Sequence, residues 1–313
     1  MRIGTVHVHL MGTVIEVKVE ADDPDPLLRD AVDRLRVYEH RFSANDPVSE
    51  LGAVNRASGR APVTVHPELF ELIAAGLEHS RAPDSMLNIA IGPLVQLWRI
   101  GFADARVPRQ SEIDAALELC DPGEVDLDER SRSVFVRRPG ARLDLGALAK
   151  GHIADLLIAR VAEQGVRSAM VNLGGNVLAY GPSPRQEDGF WRVGLRHPVH
   201  PEGVLGQLSI EQGSVVTSGV YQRTLTSGDR VFHHILDPRT GHPVETDVTS
   251  LTVVSPRSVD GEIWTSRLFG QGVSTILQTV TAQPDCEAIV ITDDLRLYAT
   301  GGLRDTIDVL TEQ

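Results

Sequence analysis

The spacing of apolar residues predicts strands and helices that alternate from the start of the chain. Residues 2 to 20 alternate apolar and polar positions on either side of Met11-Gly12-Thr13, which predicts two short paired strands. After Asp25 the apolar residues from Leu28 to Phe42 recur every three or four positions, which predicts an amphipathic helix. The same helical spacing returns at 69–77, 113–119, 147–163 and 262–279.

Strand patterns dominate the later part of the chain. Short runs of β-branched and other apolar residues, bounded by turn residues, predict these strands. The predicted strands are 125–127, 134–136, 169–173, 191–195, 204–210, 231–236, 251–254 and 288–292. Neither a repeat of roughly 20 to 50 residues nor a low-complexity segment is present. The mixture predicts a single α+β domain over residues 1–313 without a clean internal boundary.

Composition excludes some classes of function. The chain has 313 residues, of which 42% are hydrophobic, enough for a sizeable core. Its 30 Lys and Arg against 43 Asp and Glu give a net charge of −13, which argues against nucleic acid as a partner. Cys120 and Cys286 lie far apart in the sequence, without the spacing of a zinc site or a disulfide framework.

The N-terminal residues alternate like a strand and lack the pattern of a secretory signal or a lipid-attachment Cys. No run reaches roughly 18 uninterrupted apolar residues, so a transmembrane helix is not expected. We therefore expect a cytoplasmic protein without a transmembrane segment.

The segment 143–151 has residues suited to binding a phosphate group. Asp144 and Lys150 flank small residues where a helix is predicted to begin. Backbone amides, the helix dipole and the lysine could cradle an anionic group there. The alternative is an N-capping Asp and a solvated Lys on an ordinary helix, and the segment alone favours that alternative.

The segment 171–176 ends a predicted strand in Gly174 and Gly175. Glycines permit positive φ and the close approach of a ligand, so the segment could wrap a cofactor. The same pair suits a tight hairpin turn, which the segment alone favours, and it lacks the GxGxxG spacing of a dinucleotide site.

Two histidines, His233 and His234, end an apolar run before a turn that contains Pro238 and Gly241. A histidine can act as a general base near neutral pH. Adjacent strand residues point to opposite faces, so only one of the two should face a given site. Without further context, one exposed and one packed histidine is the simpler interpretation.

Glu262, Thr265 and Ser266 lie at i, i+3 and i+4 of a predicted helix, so a carboxylate and two hydroxyls share one face. Oxygen ligands of this kind suit Mg²⁺. The alternative is an exposed Glu with Thr and Ser packed against the preceding turn. The spacing permits a metal site without establishing one.

Taken in order, these segments resemble the FAD:protein FMN transferase family, often called ApbE-like, from Met11 to about Gly302. The stretches that carry the resemblance are Met11-Gly12-Thr13, Phe42-Ser43, Ser49-Glu50-Leu51, Asn55, Ile91 to Val95, Leu97-Trp98, Leu143 to Gly151, Val171 to Asn176, Thr217-Ser218-Gly219, Tyr221, Arg223 and His234 to Gly241. The resemblance implies a single T-fold-related α+β domain with a groove for FAD.

The resemblance also implies a reaction. A Thr or Ser hydroxyl of a redox protein attacks the FMN phosphorus of FAD, AMP leaves, and His234 is the general base. The residues implied to bind FAD are Met11, Asn45, Met86, Leu87, Asn88, Asp144, Lys150 and Leu236. The implied ligands of Mg²⁺ are the Ala147 carbonyl, Glu262 and Ser266.

This chain departs from the family pattern at several of these positions. Glu262 and Ser266 stand where Asp and Thr are usual, and the longer Glu must move either the metal or the helix. Asn45 replaces a common aromatic residue, while Asn88 and Ala90 replace a common Asp and Thr. The missing stacking surface predicts flavin binding that is weaker by about 1 kcal/mol.

Other functions stay open on the sequence alone. One is a metal-dependent FAD pyrophosphatase, in which water replaces the acceptor hydroxyl and FMN and AMP are released. Another is a flavin-binding protein without turnover, suggested by the altered residues Glu262, Ser266, Asn45 and Asn88. A nicotinamide dehydrogenase is disfavoured because no GxGxxG follows the first strand.

Overall fold

The computed structural model describes residues 1–200 and 203–309 of the chain. Helices in these ranges are α1 (Pro24–Phe42), α2 (Glu50–Arg56), α3 (Pro67–Ser80), α4 (Gly92–Trp98), α5 (Gln110–Leu117), α6 (Ala149–Ala162), α7 (Ser258–Leu268) and α8 (Val273–Thr281). The early strands are β1 (Arg2–Leu10), β2 (Thr13–Ala21), β3 (Val63–Thr64), β4 (Val125–Asp128), β5 (Ser133–Val136), β6 (Ser168–Leu173), β7 (Asn176–Tyr180) and β8 (Trp191–Arg196). The later strands are β9 (Val204–Ile210), β10 (Gly213–Gly219), β11 (Thr224–Ser227), β12 (Arg230–His233), β13 (Val248–Ser255), β14 (Glu287–Thr292), β15 (Leu297–Ala299) and β16 (Ile307–Val309).

An antiparallel sheet of eight strands, in the order β1-β2-β6-β7-β10-β13-β14-β15, organises the fold. The predicted N-terminal hairpin forms its first two strands, which pair from Arg2 with Ala21 to Leu10 with Thr13. Met11 and Gly12 make the two-residue turn between them, a length typical of antiparallel hairpins.

The two faces of this sheet are covered by different layers. On β6, Val171 packs into the core shared with α1 and α6, whereas its neighbour Met170 packs into a separate core with Trp191 and Leu208. This alternation follows from the two-residue period of a strand. Helices α1, α6 and α7 therefore lie on one face, and the three-stranded sheet β16-β9-β8 lies on the other. The mixed α+β fold class is confirmed.

The structure corrects three predicted elements. The predicted helix 262–279 is two helices, because Phe269 leaves the helical conformation and Gly270 and Gly272 are poor helix formers. The predicted strand 231–236 ends at His233, and Leu236 makes only an isolated bridge with Pro243. The predicted helix 147–163 begins at Ala149, after an N-cap at Leu148 rather than at Asp144.

Within the described ranges, no helix combines the length and hydrophobicity needed to cross a bilayer. Cys120 and Cys286 are buried and unpaired.

Candidate active site

One pocket collects the site residues predicted from the sequence, with the exception of Met11. It is lined by side chains from the loop after α1, the segment before α4, the start of α6, the end of β10, the residues after β12 and helix α7. The predicted residues that line it are Asn45, Met86, Leu87, Asn88, Asp144, Ala147, Lys150, His234, Leu236, Glu262 and Ser266. Segments separated by more than half of the chain therefore meet at one place.

A buried carboxylate, Glu262, lies at the centre of a hydrogen-bonded network on the helical side of the pocket. Its Oε1 accepts hydrogen bonds from Lys150 Nζ at 2.8 Å and from Asn176 Nδ2 at 2.9 Å. Asn176 Oδ1 in turn accepts a hydrogen bond from the hydroxyl of Ser258. Because a buried charge requires a partner, this network fixes both the lysine and the carboxylate.

Gly151 allows the two helices that carry this network to approach each other. A Cβ at this position would lie 2.6 Å from the carbonyl oxygen of Ser258 and 2.7 Å from Cγ of Glu262. Any side chain larger than hydrogen would push α7 away from α6. Gly151 thus allows Lys150 to lie beside Glu262.

Asp155 of α6 caps the N-terminus of α7. Its two carboxylate oxygens accept hydrogen bonds from the backbone amides of Ser258 at 2.7 Å and Val259 at 2.9 Å. Arg257, the residue at the N-cap position itself, provides no side-chain cap. The first amides of a helix need such acceptors, so Asp155 fixes the start of the helix that carries Glu262 and Ser266.

Three oxygen atoms that line this part of the pocket are free to coordinate a cation. Within the described residues, the Ala147 carbonyl accepts no backbone hydrogen bond, and neither Glu262 Oε2 nor the Ser266 hydroxyl has a hydrogen-bond partner. A carboxylate, a carbonyl and a hydroxyl form a suitable partial ligand set for Mg²⁺, which usually keeps waters and substrate phosphates as its other ligands. The donor chemistry therefore fits this ion.

Asp144 precedes α6 in a turn of its own. Its Oδ1 accepts a hydrogen bond from the backbone amide of Gly146 at 2.8 Å. Burial raises the pKa of this carboxyl, while the hydrogen bond from Gly146 and the positive charges of Arg223 and Arg142 oppose the increase.

His234 lies on the opposite side of the pocket, directly after β12. Its backbone amide donates to the carbonyl of Arg223 at 3.2 Å, and its Nδ1 has no partner among the described residues. Burial, helped by the charge of Arg223, lowers the pKa of the imidazole from 6.5 to about 4. The ring is therefore neutral at physiological pH, the state in which a histidine can accept a proton.

The neighbouring His233 does not line the pocket, as expected for adjacent residues of an extended segment. Its Nε2 is hydrogen bonded to the carbonyl of Val244 at 2.9 Å.

Apolar side chains form the rest of the pocket wall. Met86, Leu87 and Leu236 are buried there. Both ends of the Asn88 side-chain amide already form hydrogen bonds within the protein. Its Nδ2 donates to the Cys120 carbonyl at 2.7 Å, and its Oδ1 accepts from the Ala90 backbone amide at 2.8 Å. Asn45 Oδ1 accepts a hydrogen bond from Gln96 at 3.0 Å.

Met11 does not line this pocket. It lies at the tip of the β1–β2 hairpin, where its backbone amide donates to Glu39 Oε1 at 2.6 Å.

Several lining residues were assigned no role from the sequence. They include Trp98, Phe102, Thr217, Ser218, Gln222 and Arg223. Most of these lie in or next to stretches that carry the family resemblance, and that resemblance is the sequence feature that could have identified them as site residues. Phe102 lies outside those stretches, and it supplies an aromatic ring to the pocket although Asn45 replaces the usual aromatic residue.

The pocket thus combines a neutral histidine, two cationic side chains, oxygen donors and an apolar wall, a set suited to an enzyme that acts on a phosphate-bearing ligand. A sequence model described as the ApbE family matches residues 11–290. The chain belongs to the ApbE family.

Named relatives cover most of the chain. It is 41% identical over 292 residues to an FAD:protein FMN transferase of Klebsiella pneumoniae, covering 93% of this chain and 90% of that protein. It is 34% identical over 318 residues to an FAD:protein FMN transferase of Treponema pallidum, covering 96% and 88%.

Solved structures share the fold. The ApbE protein of Thermotoga maritima matches with a TM-score of 0.88 at 23% identity, covering 97% of this chain and 99% of that one. The flavin transferase ApbE of Vibrio cholerae matches with a TM-score of 0.84 at 24% identity, over the same shares.

Proposed function

We propose that this chain is an FAD:protein FMN transferase that moves FMN from FAD to a Thr or Ser hydroxyl of a redox protein and releases AMP. The observation that carries the proposal is the convergence of His234, Lys150 and Glu262 on one pocket. Membership of the ApbE family supports it. Because the pocket draws on segments from Asn45 to Phe269, we also infer that the chain acts as one domain.

In this proposal, the helical side of the pocket holds the diphosphate. Ala147, Glu262 and Ser266 hold Mg²⁺, which when bound neutralises charge on the phosphate oxygens. Lys150 is anchored by Glu262 and directs its remaining N–H donors at the phosphates, while Asp144 keeps the turn before α6 in place. The apolar wall, with Asn45, Met86, Leu87, Asn88 and Leu236, receives the flavin. Met11, which does not line the pocket, has no role in this reaction.

His234 takes the proton of the acceptor hydroxyl. The hydroxyl oxygen forms a bond to the FMN phosphorus, the bridging P–O bond breaks, and AMP leaves with the electron pair. The lowered pKa of His234 keeps its imidazole neutral and able to accept a proton over the whole physiological range.

The test is mass spectrometry of a peptide carrying an acceptor Thr after incubation with the protein, FAD and Mg²⁺, with and without a chelator. The expected result is a peptide heavier by one FMN phosphoester, AMP in equal amount, and loss of both with chelator. FMN and AMP without an adduct would indicate a pyrophosphatase. Intact FAD with acceptors of varied sequence would indicate a flavin-binding protein.

A further inference from the structure

Arg223 lies opposite the proposed general base. The hairpin β11–β12 pairs Thr224 with His233, and the hydrogen bond from the His234 amide to the Arg223 carbonyl extends this pairing by one position. Both side chains line the pocket. The two residues therefore occupy the same end of one short hairpin, beside the pocket.

Arg223 differs from Lys150 and Arg239, each of which forms an ion pair with a carboxylate. Lys150 is paired with Glu262 at 2.8 Å, and Arg239 is paired with Asp237 at 2.8 Å. The Arg223 side chain has neither an ion pair nor a hydrogen bond within residues 1–200 and 203–309. An unpaired guanidinium that lines a pocket has all its N–H donors available, in the planar arrangement that matches phosphate oxygens.

The position of this side chain is set by close contact with the backbone at Gly101. A Cβ at Gly101 would lie 2.9 Å from Cδ of Arg223, and Gly101 has φ of +92°, a conformation that favours glycine. The stem of Arg223 therefore lies against the chain just after α4. Arg223 is an exposed residue, and it lines the pocket.

The charge of Arg223 acts on groups from both sides of the pocket. It helps to lower the pKa of His234, and it opposes the burial that raises the pKa of Asp144. A cation whose charge acts on both groups would also attract an anionic group of a ligand in the pocket.

We propose that Arg223 binds a non-bridging oxygen of the transferred phosphate and stabilises its charge during transfer. This inference rests on the proposed function. As the acceptor oxygen bonds to phosphorus, its proton passes to His234 and the P–O bond to AMP breaks with its electron pair leaving on AMP. The charge of the transferred group is spread over its non-bridging oxygens in this state, and a positively charged hydrogen-bond donor such as Arg223 would stabilise it.

The test compares Arg223→Gln with Arg223→Lys and with a matched control, Arg230→Gln. Arg230 lies on the same hairpin, with its guanidinium 4.9 Å from the ring centroid of Phe232, and does not line the pocket. Binding of FAD and of riboflavin, which lacks phosphate, is measured by flavin fluorescence in the presence of Mg²⁺. Single-turnover transfer is measured at saturating FAD.

The expected result for Arg223→Gln is FAD binding weaker by about tenfold, with riboflavin binding unchanged. Transfer at saturating FAD should slow by about a hundredfold. Arg223→Lys should retain part of the FAD affinity and part of the transfer rate. Arg230→Gln should match the wild type in both measurements.

Equal losses for FAD and riboflavin would show that Arg223 only shapes the pocket, and wild-type behaviour of Arg223→Gln would also overturn the proposal. If the wild-type chain transfers no FMN, the proposed function fails. The difference between FAD and riboflavin would still decide whether Arg223 binds the phosphates.

Discussion

The two sides of the pocket differ in whether their cationic side chains are paired. On the helical side, Glu262 accepts hydrogen bonds from Lys150 and Asn176, and Asp155 caps α7. On the hairpin side, Arg223 has no ion pair in the described ranges and Nδ1 of His234 has no partner. Paired groups form a fixed frame before a ligand arrives, whereas unpaired groups gain their partners only from the ligand.

The two sides also differ in their attachment to the fold. Helices α6 and α7 pack against each other and on the central sheet. The hairpin β11–β12 forms a separate two-stranded sheet, anchored by Phe232, whose ring centroid lies 5.5 Å from that of Trp98. A segment with few buried contacts opens more easily than a packed helix pair, so we expect the hairpin to be the more mobile side.

The largest expected effect comes from removing the proposed base. His234→Ala should slow transfer by about a hundredfold to a thousandfold while FAD binding stays close to that of the wild type. The matched control is His233→Ala, which removes an imidazole that bonds to the Val244 carbonyl and does not line the pocket. Equal losses in the two variants, measured by single-turnover kinetics, would attribute the effect to hairpin structure instead of proton transfer.

Removing the charge on the helical side should change the metal requirement. Glu262→Gln keeps an oxygen that can accept from Lys150 and Asn176 but loses the anionic ligand. The Mg²⁺ concentration that gives half-maximal transfer should rise by about tenfold or more. An unchanged titration curve would place the metal elsewhere.

Removing the cap of α7 should lower the stability of the fold more than it lowers the rate of transfer. Asp155→Ala should lower the free energy of unfolding by about 1 to 2 kcal/mol, and Asp155→Asn, which retains one acceptor oxygen, by less. Urea unfolding of the three proteins at one pH would measure these differences. Equal stability of all three proteins would show that the cap contributes nothing.

The low pKa of His234 also links stability to pH. In the unfolded chain the imidazole gains a proton below its ordinary pKa of 6.5, whereas in the folded chain it does so only near pH 4. The unfolded state therefore binds more protons between these values, and stability falls as the pH decreases through this window. Between about pH 7 and about pH 5, the wild type should lose on the order of 1 kcal/mol more than His234→Ala. An equal loss would mean that the folded imidazole titrates normally.

The smallest expected effect lies at the pocket wall. Phe102→Ala should weaken flavin binding by about 1 kcal/mol, because the exposed ring lines the pocket and can stack on the flavin. Binding of riboflavin would detect the loss without involving the phosphates. Unchanged affinity would show that the flavin lies elsewhere in the pocket.

Elements with a clear period could be predicted from the sequence. The hairpin β1–β2 and the helix α1 follow from alternation and from helical spacing, and β6 follows from its apolar run. Strand β10 was missed because Gly213–Gly219 contains only two adjacent valines between small residues. Its strand conformation depends on pairing with β7 and β13, which is a tertiary effect.

The site was less accessible to pattern reasoning than the fold. Spacing alone favoured ordinary explanations for Lys150, His234 and Glu262, and the family resemblance first grouped them. The network through Asn176 depends on the close approach of helices at Gly151, and the position of Arg223 depends on the hairpin pairing. Such contacts join residues far apart in the chain, so no local period encodes them.

The central claim is that the helical side holds metal and phosphate, whereas the hairpin side acts on the proton and on the transferred phosphate. The most direct test is the affinity for FAD, measured by flavin fluorescence with Mg²⁺ and with chelator, in the wild type, Glu262→Gln and His234→Ala. We predict that Mg²⁺ strengthens FAD binding in the wild type and in His234→Ala but not in Glu262→Gln. A metal effect that is lost in His234→Ala, or kept in Glu262→Gln, would contradict this division between the two sides.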